Sequence, residues 1–93
     1  MVIGTLEVDL YLEDSQSLKG RRRVIKGLVA RLRQKFNVAV SEVGDKNLWQ
    51  RITLAMVSVS DDAKYLDGLL STVLNYLKRE SSVEVLDHRL RLF

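Results

Sequence analysis

Leu6-Glu7-Val8-Asp9-Leu10-Tyr11-Leu12 alternates apolar and polar side chains without a break, and the stretch from Leu18 to Phe36 does not. A period of two marks a strand with one buried face, so Met1–Leu12 reads as the first strand. After Glu13-Asp14-Ser15-Gln16-Ser17, a polar loop rich in capping residues, the period changes. At about 100° per residue, Leu18, Ile25, Leu28, Val29, Leu32 and Phe36 fall within one ~100° sector, which predicts an amphipathic helix capped by Ser15 or Ser17. Gly27 lies nearly opposite that sector and weakens the helix by about 1 kcal/mol relative to Ala.

Working outward, Asn37–Val43 reads as a short strand and Gly44-Asp45-Lys46-Asn47 as a turn. Leu48–Val59 is a long strand with Leu48, Ile52, Leu54 and Met56 on one face; the two strands form a hairpin. Ser60-Asp61-Asp62 supplies a cap and first-turn acids for a second helix, whose stripe is Ala63, Leu66, Leu69, Leu70, Val73, Leu74 and Leu77 and whose end is Lys78-Arg79. Val83–Phe93 is the last strand. Strict alternation there puts Leu86, Leu90 and Leu92 on one face and Val83, Val85, Asp87, Arg89 and Arg91 on the other. The order β-α-β-β-α-β predicts a single α+β domain over residues 1–93: a ferredoxin-like sandwich with a four-stranded antiparallel sheet in the order 4-1-3-2 and both helices on one face.

Composition narrows the chemistry. The 93 residues contain no cysteine and one histidine, which removes disulfides, thiolate nucleophiles and cysteine-containing zinc sites. No apolar run approaches the ~20 residues of a membrane span, and no basic leader opens the chain, so a cytoplasmic protein is expected, with no cofactor, no metal and no membrane partner. His88 shares parity with leucines and reads as structural. Asp61 and Asp62 read as helix caps, and Glu42 as the partner of Lys46 or Arg51. No glycine-rich phosphate loop is present, so an enzyme is not expected.

The sheet face away from the helices carries Glu7, Asp9 and Tyr11 on the first strand, beside Arg51 and Thr53 on one side and Arg89 and Arg91 on the other. This predicts a solvated ladder of ion pairs, with a polar ligand site as the alternative. The same face is read as holding Tyr11, Trp49, Ala55, Val57, Val83 and Val85, an apolar set suited to a homodimer interface. RNA-recognition domains share the topology, but Leu48-Trp49-Gln50-Arg51-Ile52-Thr53-Leu54-Ala55 lacks their Gly-aromatic motif, and Glu7 and Asp9 oppose a phosphate backbone there.

Charge carries the functional signal. Lys19, Arg21, Arg22, Arg23, Lys26, Arg31, Arg33 and Lys35 are eight of fifteen cations, with no acid among them; the rest of the chain sets twelve acids against seven cations. A helix of +8 therefore sits on a body of −5. Lys19, Arg22, Arg23, Lys26 and Arg33 share one flank, and cations in the first turn oppose the helix dipole. An anion at that end would relieve both strains, which predicts a site for phosphate or RNA made by Ser17, Lys19, Arg21, Arg22, Arg23, Lys26 and Arg33.

Three segments resemble a known family. Ser17-Leu18-Lys19-Gly20-Arg21-Arg22-Arg23-Val24-Ile25-Lys26, Phe36-Asn37-Val38-Ala39-Val40-Ser41-Glu42-Val43 and Leu48-Trp49-Gln50-Arg51 are similar in order and content to motifs of the YlxP-like family of small bacterial proteins. Gly20 and the Arg-rich final strand depart from the pattern. The resemblance implies a ferredoxin-like fold and a function not yet characterised. It also implies a ribosome- or RNA-linked role, because the family's genes are often found beside those of transcription and translation factors. The expectation is a non-catalytic module that binds RNA or a ribonucleoprotein such as the ribosome through its first helix; the alternative is a dimeric structural or regulatory protein-interaction domain that binds no nucleic acid.

Overall fold

The computed structural model describes residues 1–13, 17–44 and 50–93. Its elements are β1 (Val2–Tyr11), α1 (Leu18–Lys35), β2 (Ala39–Val43), β3 (Arg51–Ser60), α2 (Ala63–Arg79) and β4 (Glu84–Leu92). The strands form one antiparallel sheet in the order β2-β3-β1-β4, the same as 4-1-3-2. This is the α+β sandwich that the two periodicities predict.

Each boundary has a local cause. Ser17 is extended, and its Oγ accepts from Gly20 N at 3.0 Å, satisfying one of the first-turn donors of α1. Asp62 does the same for α2, accepting from Lys64 N and Tyr65 N. Arg33 and Lys35 close α1, and Lys78 and Arg79 close α2, with the sign the helix dipole favours. Gly44 leaves β2 at φ +82°, a left-handed conformation that glycine reaches without penalty. The remainder of the expected turn, with Leu48 and Trp49, lies outside the described residues.

The core fills the space between sheet and helices. Leu6, Val8 and Leu10 of β1, Leu54 and Met56 of β3, Leu28 and Leu32 of α1, and Leu66, Leu70, Val73 and Leu77 of α2 are fully buried. Gly4 lets α2 approach β1: a Cβ there would lie 2.8 Å from Leu66 Cγ and Cδ2 and from Leu70 Cδ1.

The last strand departs from simple alternation. Asp9 is opposite Asp87 while the next residue, Leu10, is opposite Val85, so Leu86 is an extra residue in a β-bulge. One extra residue reverses the facing of everything before it. Val85 therefore sits opposite the buried Leu10 and packs on the core, and Val83 is buried as well. Both were expected on the open face; the bulge moves them to the helix side. Leu86, expected inside, is 43% exposed and lines a depression on the open face with Asp9, Arg51, Thr53 and Asp87.

Candidate nucleic-acid interface

The cations of α1 divide into three groups. Arg21 is buried, with its side chain only 5% exposed, and its Nη2 lies 2.6 Å from Glu42 Oε2 and 3.5 Å from the Arg51 carbonyl. It was expected on the exposed surface and is instead a structural tie from α1 to the hairpin. Glu42, expected to meet Lys46 or Arg51, is its partner. The signal was present in the sequence. On the same helical wheel Arg21 falls between Leu28 and Leu32, inside the apolar sector, and the semi-buried Glu42 supplies the charge it needs there.

A second group is fastened to neighbouring elements. Arg31 pairs with Glu80 at 3.4 Å. The Lys35 ammonium lies 5.1 Å from the centroid of the Tyr76 ring, which itself packs edge-on against Phe36. Arg33 donates to the Val40 carbonyl at 2.9 Å, so the far end of the expected ridge is anchored to β2.

The third group is Lys19, Arg22, Arg23 and Lys26. All four are exposed, and none has an ion pair or side-chain hydrogen bond among the described residues. They are i, i+3 and i, i+4 neighbours on one flank, where unscreened like charges repel. Ser17, grouped with them from sequence, acts as the cap, its Oγ accepting from Gly20 N–H. An ammonium and two guanidinium forks side by side, with a second ammonium behind them, match a row of phosphates better than a single anion.

The open sheet face is organised differently from a ladder. Arg89 alone reaches three carboxylates: Asp9 at 3.2 Å, Glu7 at 3.4 Å and Asp87 at 3.5 Å. Asp9 also accepts from Thr53 Oγ1 at 2.8 Å. These contacts hold the Asp9 carboxyl below its ordinary range, the Arg89 hydrogen bonds first and the Thr53 hydroxyl second. The bond to Asp9 likewise raises Arg89. Arg51 and Arg91 make no ion pair among the described residues. Of the expected apolar set, Val57 is exposed, Ala55 and Tyr11 are half-buried, Val83 and Val85 are in the core, and Trp49 lies outside the described residues. His88 is exposed on β4, and Asp62 is spent as the cap of α2. Among the described residues no group of three or more His, Cys, Asp or Glu is placed to hold a metal, and no helix is long and apolar enough to cross a membrane.

Comparison with known proteins supports the family resemblance. The uncharacterised protein YlxP of Bacillus subtilis (strain 168) is 32% identical over 83 residues, which cover 89% of this chain and 90% of that protein. The family described as protein of unknown function (DUF503) matches residues 3–90. With nearly the whole chain matched, this protein belongs to the DUF503 family.

Proposed function

We propose that this protein is a non-catalytic binding module of the cytoplasm that holds RNA, free or within a ribonucleoprotein, along the outer flank of α1. One observation carries the reading: four adjacent cations, Lys19, Arg22, Arg23 and Lys26, stay exposed and without an ion pair among the described residues, while the other cations of the same helix are engaged. A fold that needed this charge only for solubility would gain by interspersing acids, since like charges at i, i+4 cost a few tenths of a kcal/mol each. Binding phosphates turns that repulsion into attraction and releases counterions.

Four neutralised phosphates on a single strand give a salt slope of about −2.8, so affinity falls about 50-fold between 50 and 200 mM salt. Fluorescence anisotropy with a labelled single-stranded RNA measures this directly. The triple variant Arg22→Glu, Arg23→Glu, Lys26→Glu abolishes binding while its circular dichroism stays that of the parent. The charge-matched triple Lys64→Glu, Lys78→Glu, Arg79→Glu on α2 keeps most of the affinity. A flat salt dependence, or equal loss in both triples, refutes the reading.

A further inference from the structure

The two edges of the sheet are not equivalent. β2 has only five residues, and the carbonyl of Val40 is covered by the Arg33 guanidinium. β4 has nine residues. At its end Ile3 and Phe93 exchange both backbone hydrogen bonds, at 3.0 and 2.7 Å. Antiparallel ladders alternate, so Arg91 and Arg89 also face β1, while the N–H and C=O groups of Leu92, Leu90 and His88 point away from it. His88 N bears this out: it donates to the Asp87 carboxylate at 2.8 Å, a local substitute for a strand. No hydrogen bond from the described residues reaches the outward groups of Leu90 and Leu92. Leu86 and Leu92, 43% and 39% exposed, lie on this same strand.

We propose that the β4 edge pairs antiparallel with β4 of a second copy, across a two-fold axis at His88, to make a continuous eight-stranded sheet. The register follows from charge and length. With His88 opposite His88, Asp87 of each chain is opposite Arg89 of the other. Past the surplus Leu86 of the bulge, Val85 is opposite the partner's Leu90 and Glu84 opposite the partner's Arg91, so side chains of one face meet and the strand pairs from Glu84 to Arg91. Moving the axis by one residue places two Arg89 side chains, or two Asp87 side chains, directly opposite each other. Moving it to Leu90 sets Arg89 against Arg91 twice. Only the His88 register avoids every like-charge contact among these residues while spanning eight of the nine residues of the strand. The two Asp87–Arg89 contacts extend the cluster in which Arg89 already holds Glu7 and Asp9. The outward His88 N–H exchanges its Asp87 carboxylate for a partner carbonyl. The inference stands apart from RNA binding, since α1 takes no part in it.

The chain has no cysteine, so single cysteines report the register without background. His88 is exposed, and a cysteine there is tolerated by the fold. His88→Cys places two thiols on residues whose Cα atoms are about 5.5 Å apart, within disulfide reach. Leu90→Cys places them about 14 Å apart, four residues along the ladder, and Ser41→Cys lies on the other edge. Under mild oxidation, with non-reducing electrophoresis as the readout, His88→Cys becomes mostly covalent dimer and the other two stay monomeric. Sedimentation of the unmodified chain gives a dimer. A monomer at roughly 100 µM, or cross-linking as strong for Leu90→Cys or Ser41→Cys as for His88→Cys, overturns the proposal.

Discussion

Replacing Arg21 by Met removes the cation that joins α1 to the hairpin and leaves the Glu42 carboxylate facing the core. Taking one partner from a buried ion pair costs about 3–5 kcal/mol when the survivor cannot reach water. The Glu42 side chain is 18% exposed against 5% for Arg21, so the stranded carboxylate has a partial route to solvent. The expected loss is therefore about 2–3 kcal/mol, which for a domain of this size lowers Tm by about 10–20 °C. Methionine keeps the length of the apolar stem, so the loss reports the charge more than a cavity. Adding Glu42→Leu removes the stranded charge as well, and the double variant recovers most of the stability. Urea unfolding of the four proteins, followed by circular dichroism, closes the cycle. If Arg21→Met unfolds within about 0.5 kcal/mol of the parent, or if the two losses simply add, the pair is not the tie described here.

Three further outcomes follow from the geometry. Gly4→Ala drives a methyl group into Leu66 and Leu70, both fully buried, and lowers stability by about 1–3 kcal/mol in the same urea assay. Gly44→Ala imposes a left-handed residue with a Cβ and costs about 1–2 kcal/mol, read as a drop in Tm with no change in the far-ultraviolet spectrum. Asp9 has its carboxyl lowered by Arg89 and Thr53, so the unfolded chain binds its proton first. The stability it contributes is intact above the ordinary value of 3.8 and is lost as pH falls through the lower folded value. Asp9→Asn should flatten that acid-side decline in urea midpoints measured below about pH 4.

The sequence shows the architecture plainly because sandwich strands and amphipathic helices need different periods, and Leu6–Leu12 and Leu18–Phe36 keep theirs cleanly. Arg21 was legible too, since the wheel puts it among leucines; the habit of assigning arginine to the surface hides it. The bulge at Leu86 was not legible. Strict alternation through Val83–Arg91 fits the local pattern equally well, and only pairing with β1 reveals that one residue is surplus. That single residue moves Val83 and Val85 from open face to core. The division of the basic helix was half legible. Spacing separates Arg31 and Lys35 from the flank of Lys19, Arg22, Arg23 and Lys26, but the bond from Arg33 to a backbone carbonyl depends on where β2 ends up.

That bond has a consequence for how far assembly can proceed. A sheet with two bare margins adds subunits at both and grows into a ribbon. Here a guanidinium from α1 plugs a carbonyl on one margin of a strand only five residues long. Growth is blocked on that side, so any association through the other must be finite, and the same helix that gathers the positive charge also guards the chain against running on into a fibre.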